Sequence, residues 1–161
     1  MSSVVVFIAQ YLFLVPLVVL GVLFIRSGKS ERVHLAVVAA VAIATAFLLA
    51  KLGNHFIIDQ RPFMRDGIAP LFKSSNDNGF PSDHTLVAAI ASLIVLSMKR
   101  TWGLVLLALS LLIGWARVYS GVHHLADVVG SIAIAGIAVC VGVYVGARLR
   151  AHPSSSSTTQ A

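Results

Sequence analysis

The stretch VVVFIAQYLFLVPLVVLGVLFI, residues 4–25, carries no charged side chain over 22 residues, which is long enough to cross a bilayer as a helix. Only Met1, Ser2 and Ser3 precede it. It therefore lacks the basic start of a secretory signal and is longer than the usual apolar core of one, so we read it as a retained span. Pro16 lies inside it, which membrane helices tolerate when neighbours satisfy the freed carbonyl. Four further apolar runs follow, at residues 33–58, 82–98, 101–119 and 122–149. The expected fold is all-α: a polytopic membrane helix bundle of about five spans over residues 1–151, with a Ser/Thr-rich tail, 152–161, disordered on the cytoplasmic side.

Composition supports this reading. Of 161 residues, 58% are apolar and 11% charged, with a mean hydropathy of +0.91, whereas a soluble domain carries about 25% charge. The single cysteine, Cys140, sits in an apolar run and excludes a disulfide framework or a Cys-rich zinc site. A net charge of +6 raises the question of nucleic acid, but the basic residues cluster at span ends, so no nucleic-acid partner is expected. Arg26, Lys29, Arg32, Lys99, Arg100, Arg148 and Arg150 against Glu31 leave +6 on one side. Lys51, Arg61, Arg65, Lys73 and Arg117 balance Asp59, Asp66, Asp77, Asp83 and Asp127 on the other. The positive-inside rule makes the first side cytoplasmic, and puts the N-terminus and the long loop 59–81 outside. Trp102 and Tyr144 then fall near the inner interface, Trp115 and Tyr119 near the outer. Gly142 and Gly146 are read as helix packing.

Ionisable groups at membrane depth are costly, so their clustering is a functional signal. Five of the six acids and three of the six histidines, His84, His123 and His124, gather with Arg61 and Arg117 at the outer ends of the second to fifth spans. With the last helix starting near Val122, His123 and Asp127 are i and i+4 on one face, and Asp127 reaches back to hold one ring nitrogen as a donor. The other nitrogen is then a free base or nucleophile. In Phe80-Pro81-Ser82-Asp83-His84-Thr85, Pro and Ser open a helix whose unpaired N–H groups favour an anion. Two arginine forks beside two helix starts suit phosphate oxygens, and His84 is the candidate general acid.

Arg61-Pro62, Pro81-Ser82-Asp83-His84 and Arg117-x5-His123-x3-Asp127 together resemble the three-motif signature of the type 2 phosphatidic acid phosphatase superfamily, roughly K-x6-R-P, P-S-G-H and S-R-x5-H-x3-D. The match spans about residues 51–127. The resemblance implies a phosphatase without metal or cofactor, in which His123 attacks phosphorus to form a phosphohistidine, Asp127 orients it, His84 protonates the leaving group, and Arg61, Arg117 and Ser82 hold the phosphoryl oxygens. Asp83 replaces the pattern's Gly and Ala116 its Ser. The motif lysine is missing: Asn54 stands seven residues before Arg61, and Lys51 lies one helical turn deeper, so either Lys51 or Asn54 is the remaining phosphate-binding candidate. The run from Asn76 to Thr85 is most similar to the bacitracin-resistance branch, the undecaprenyl-diphosphate phosphatases of bacterial inner membranes. The partners implied are a lipid phosphate substrate and membrane lipids.

Other readings stand beside this one. Another lipid phosphate, such as phosphatidylglycerophosphate, phosphatidic acid or another isoprenyl phosphate, would use the same chemistry. His84, His123 and Asp127 offer three metal ligands, but a cation site does not recruit guanidinium groups. A lipid or anion carrier would need a polar path across the midplane, which the third to fifth spans lack. His55 and His124 are read as bundle histidines, since His124 follows His123 by about 100° of helix. Asp59, Asp66, Asp77, Arg65 and Lys73 are read as solvated loop surface, with Arg65 and Lys73 the alternative holders of a second phosphate group.

Overall fold

The computed structural model describes residues 2–151, so the expected tail lies outside the described residues. The chain runs α1 (Ser2–Tyr11), α2 (Leu14–Arg26), α3 (Lys29–Phe56), α4 (Pro62–Arg65), α5 (Asp83–Met98), α6 (Arg100–Tyr119) and α7 (Leu125–Ala151). No strand occurs among the described residues, and a lone bridge joins Gln60 to Asn78. α1 and α2 together, α3, α6 and α7 are each long and apolar enough to cross a membrane. Large apolar side chains such as Val18, Phe47 and Leu104 point outward; in water such a surface would aggregate, and in lipid it is solvated.

The first span is broken where Pro16 dictates. Proline has no N–H for the carbonyl four residues back, that of Leu12, and its ring would collide with it. Leu12 and Phe13 form a turn, and the Leu12 carbonyl accepts from the Val15 N–H instead, at 3.1 Å. The break sets Phe13 edge-on against the His84 ring, centroids 4.6 Å apart.

α5 has 16 residues, about 24 Å at 1.5 Å per residue, short of a hydrocarbon core of about 30 Å. It is the central helix, packed against α2, α6 and α7, and it buries Thr85, Ala88, Ala89, Ala91, Ser92, Ile94 and Val95. Surrounded by protein, it is freed from matching the bilayer. Ser92 and Ser110 meet across the α5–α6 contact at 3.0 Å, where one hydroxyl donates to the other while the acceptor's own proton goes to its helix carbonyl, Ala88 O or Leu106 O. α3 and α7 approach closely at the expected glycines. A Cβ on Gly142 would stand 2.6 Å from the Val38 carbonyl oxygen, and one on Gly146 would stand 2.8 Å from the His34 ring.

Two boundaries differ from the apolar runs by more than two residues. α3 starts at Lys29 rather than residue 33, because a polar helix start outside the hydrocarbon is still a good helix. α7 starts at Leu125 rather than 122: Gly121, at φ +70°, turns the chain after α6, so His123 and His124 sit in the connection and not on the helix. The C-terminal ends of α3 and α6, the N-terminal ends of α5 and α7, and the 57–82 segment with α4 meet at one end of the bundle.

Candidate active site

Although His123 precedes α7, it reaches Asp127. Its Nδ1 lies 3.3 Å from Asp127 Oδ2, which also accepts the His124 backbone N–H at 2.9 Å. On its other side, Nε2 faces Arg61 Nη1 at 3.3 Å and Arg117 Nη2 at 3.2 Å. Guanidinium groups only donate, so Nε2 accepts and the ring proton is on Nδ1. Burial, reinforced by the Arg117 and Arg61 charges, holds the His123 pKa below its ordinary 6.5 despite the opposing Asp127 hydrogen bond. The ring is therefore neutral at pH 7, with its lone pair aimed between two guanidinium groups.

Both arginines are buried, 6% exposed. Arg61 also donates from Nη1 to the Val122 carbonyl at 3.0 Å. Its Nη2 and Nε donate to Asp77 Oδ1 at 2.7 and 3.1 Å, and Ser75 Oγ donates to the same oxygen at 2.7 Å. Asp77, read from sequence as solvated loop surface, is thus the anion on the Arg61 fork, and a phosphate taking that edge must displace it. Although its partial burial works the other way, the Ser75 and Arg61 hydrogen bonds hold Asp77 below the usual carboxylate range. Arg117 donates weakly from Nη1 to the Ala9 carbonyl at 3.4 Å, and its buried Nε finds no partner among the described residues. An orphaned, charged donor is costly unless an acceptor arrives.

Arg61, Ser75, Asp77, Arg117 and His123 line a cavity of about 400 Å³. Gln10, Tyr11, Phe72, Lys73, Asp83 and His84 complete its wall, the first two from the end of α1. His84 comes from the first turn of α5, beside that helix's N-terminus. Asp83 also borders an apolar groove of about 350 Å³ between α2, α3 and α5, lined by Leu17, Leu20, Ile43, Phe47, Val87 and Ile90 among others.

Not every sequence candidate joins the cavity. Ser82 is the residue before α5 but makes no side-chain cap; its hydroxyl, fully buried, meets Thr85 Oγ1 at 3.1 Å. Lys51 is exposed, its Nζ 5.6 Å from the Phe47 ring centroid. Asn54 donates to the Phe80 carbonyl at 3.1 Å and so braces the Pro81-Ser82-Asp83-His84 turn. Lys73 lines the cavity, whereas Arg65 turns to Asp59 and Asp66 at 3.9 and 3.7 Å. His55 stacks edge-on against Phe56, with centroids 4.9 Å apart. Sequence reasoning missed the roles of Asp77 and His124. His124 Nδ1 lies 2.6 Å from Asp59 Oδ2, and its Nε2 lies 3.2 Å from Asp66 Oδ2. Asp59, His124 and Asp127 also have ligand-type atoms within 4.8 Å of one another, but the direct His124–Asp59 contact already pairs these groups.

The family model for the PAP2 superfamily matches residues 32–151, which contain all three motifs. The chain belongs to the PAP2 superfamily. It is 31% identical over 146 residues to the Escherichia coli protein named "Putative undecaprenyl-diphosphatase YbjG", covering 90% of this chain and 73% of the relative. It is 29% identical over 135 residues to "Undecaprenyl-diphosphatase BcrC" of Bacillus subtilis, covering 84% and 69%. The fold is similar to that in the crystal structure of a transmembrane PAP2-type phosphatidylglycerolphosphate phosphatase from Bacillus subtilis, with a TM-score of 0.61, 22% identity, and coverage of 97% of this chain and 79% of that one. This PAP2 protein is a multi-pass membrane hydrolase acting on a lipid-linked phosphate.

Proposed function

We propose that this enzyme hydrolyses undecaprenyl diphosphate to undecaprenyl phosphate on the extracytoplasmic side of a bacterial inner membrane. The observation that carries the chemistry is the His123 ring, held by Asp127 at one nitrogen and facing two guanidinium groups at the other. A terminal phosphoryl group seated on Arg61 and Arg117, in place of Asp77, puts phosphorus next to Nε2. The Nε2 lone pair forms an N–P bond, the P–O bond to the bridging oxygen breaks, and His84 gives its proton to that oxygen as lipid monophosphate leaves. Water, deprotonated by His84, then attacks phosphorus, and orthophosphate leaves Nε2. The arginines and the α5 N-terminus stabilise the charge on the equatorial oxygens throughout. No step calls on a metal, because guanidinium groups occupy the place of a Lewis acid.

The diphosphate is favoured by Lys73, which lies on the cavity wall where a second phosphate group would sit. A lipid is favoured by the apolar groove that begins at Asp83, where a chain can remain in hydrocarbon while its head reaches the cavity. The names of the relatives point the same way. Since Lys51 and Asn54 are engaged elsewhere, the first motif acts through Arg61 and Pro62.

Purified protein in detergent should release phosphate from undecaprenyl diphosphate, with EDTA present, at a kcat/KM well above that for phosphatidylglycerophosphate or phosphatidic acid. The reverse order would keep the phosphatase and discard this substrate. The sidedness rests on the +6 against zero charge balance. On a Cys140→Ser background, an impermeant thiol reagent should label Lys73→Cys but not Lys99→Cys in intact cells; the opposite pattern inverts the topology.

A further inference from the structure

Both ring nitrogens of His124 face carboxylate oxygens, Nδ1 that of Asp59 at 2.6 Å and Nε2 that of Asp66 at 3.2 Å. A neutral imidazole has one N–H and would turn a lone pair on one of these acceptors, whereas an imidazolium satisfies both. Its backbone N–H donates to Asp127 Oδ2, the oxygen that also holds His123 Nδ1. Asp59 and Asp127 present oxygens within 4.8 Å of each other and of this ring. Two carboxylates that close tend to share one proton or move apart unless a cation lies between them. Either response would weaken the acceptor that orients His123.

We infer that His124 is a positioning residue whose imidazolium, held between Asp59 and Asp66, keeps Asp127 ionised and in register with His123. The inference rests on the phosphohistidine reading above. The charged groups around it are Asp59 before α4, Arg65 and Asp66 at the end of α4, and Asp127 on α7, with the neutral, titratable His123 next to it in the chain. Arg65 stands farther from both loop acids than His124 does, at 3.9 and 3.7 Å, so it does not replace the ring. Partial burial disfavours charge on His124, but Asp59 and Asp66 outweigh it and raise its pKa above the ordinary 6.5. The sign follows: the clamp is fully present below the unfolded pKa and is lost as pH rises through the raised native one.

The test is a set of three variants, His124→Phe, Asp59→Asn and the double variant, assayed for kcat, KM and pH profile on the undecaprenyl lipid and on a soluble aryl phosphate, with melting temperature in detergent as the control. His124→Phe is expected to lower kcat about tenfold, the size of coupling seen between contacting groups, with KM within about twofold. Asp59→Asn alone should be nearly silent, and the double variant should recover most of the lost kcat, because removing the second carboxylate removes the need for the cation. Wild-type kcat should decline on the alkaline side as the clamp discharges, and the double variant should lack that decline. An unchanged kcat in His124→Phe, or a double variant no better than the single one, overturns the inference while leaving the phosphatase reading intact. Should His124→Phe melt early, Asp59→Asn and the double variant still decide, since a packing role is not rescued by neutralising Asp59. A wild-type protein inactive on both substrates removes the reading and the inference together.

Discussion

Replacing His123 with alanine is expected to reduce turnover by about 10⁵-fold or more, the scale on which loss of a nucleophile acts when its base and oxyanion donors remain. The size follows from the position of the ring. Among the described residues, Nε2 is the uncharged, lone-pair-bearing atom that faces both guanidinium groups, so it is the atom placed to attack a phosphorus seated there. The measurement is twofold: steady-state phosphate release, and trapping of an acid-labile, alkali-stable phosphoenzyme from ³²P-labelled lipid. Both should vanish in His123→Ala. His84→Ala should be slow in turnover, yet should still accept phosphate from a substrate with a good leaving group, because it lacks the acid and not the nucleophile. A phosphoenzyme in His123→Ala would assign the nucleophile elsewhere.

Arg117→Lys should cost about 10²–10³ in kcat/KM, as expected for removing one preorganised donor to a developing oxyanion. The change keeps the charge but not the fork. Arg117 Nη2 faces His123, Nη1 reaches the Ala9 carbonyl, and the buried Nε has no partner among the described residues. A lysine ammonium is a single point and cannot meet the imidazole, the α1 carbonyl and a phosphate oxygen together. Melting temperature should change little, since the link to Ala9 is long at 3.4 Å. Full activity in Arg117→Lys would mean that Arg61 alone carries the phosphoryl charge.

Much of this enzyme was legible because lipid imposes simple rules on a chain. Apolar runs of about 20 residues bounded by charges have few alternatives to spanning helices, so the bundle follows from residues 4–25 and the later runs. The pairing of His123 with Asp127 was legible too, because four residues of chain leave little room for them to miss each other, even though α7 starts only at Leu125. Proline at position 16, read as tolerated within a continuous span, instead interrupts it at the residue whose carbonyl it deprives.

What the tertiary structure decided were the partners that lie far apart in the chain. Asp59 and His124 are 65 residues apart, and Ala9 and Arg117 are 108 apart, separations that no local periodicity encodes. Read singly, Asp59, Asp66 and Asp77 are polar loop residues, because exposure is the default for a carboxylate in a connecting segment. Folding brings the 59–81 segment against the starts of α5 and α7, where Asp77 meets the Arg61 fork and His124 meets two acids. The same closure leaves Lys51 outside, exposed on α3 beside Phe47, although its long stem had kept it a candidate one turn away from the motif position. Apolar length and motif spacing act along the chain and are written in it; charge pairing acts through space and is settled only once the helix ends have met.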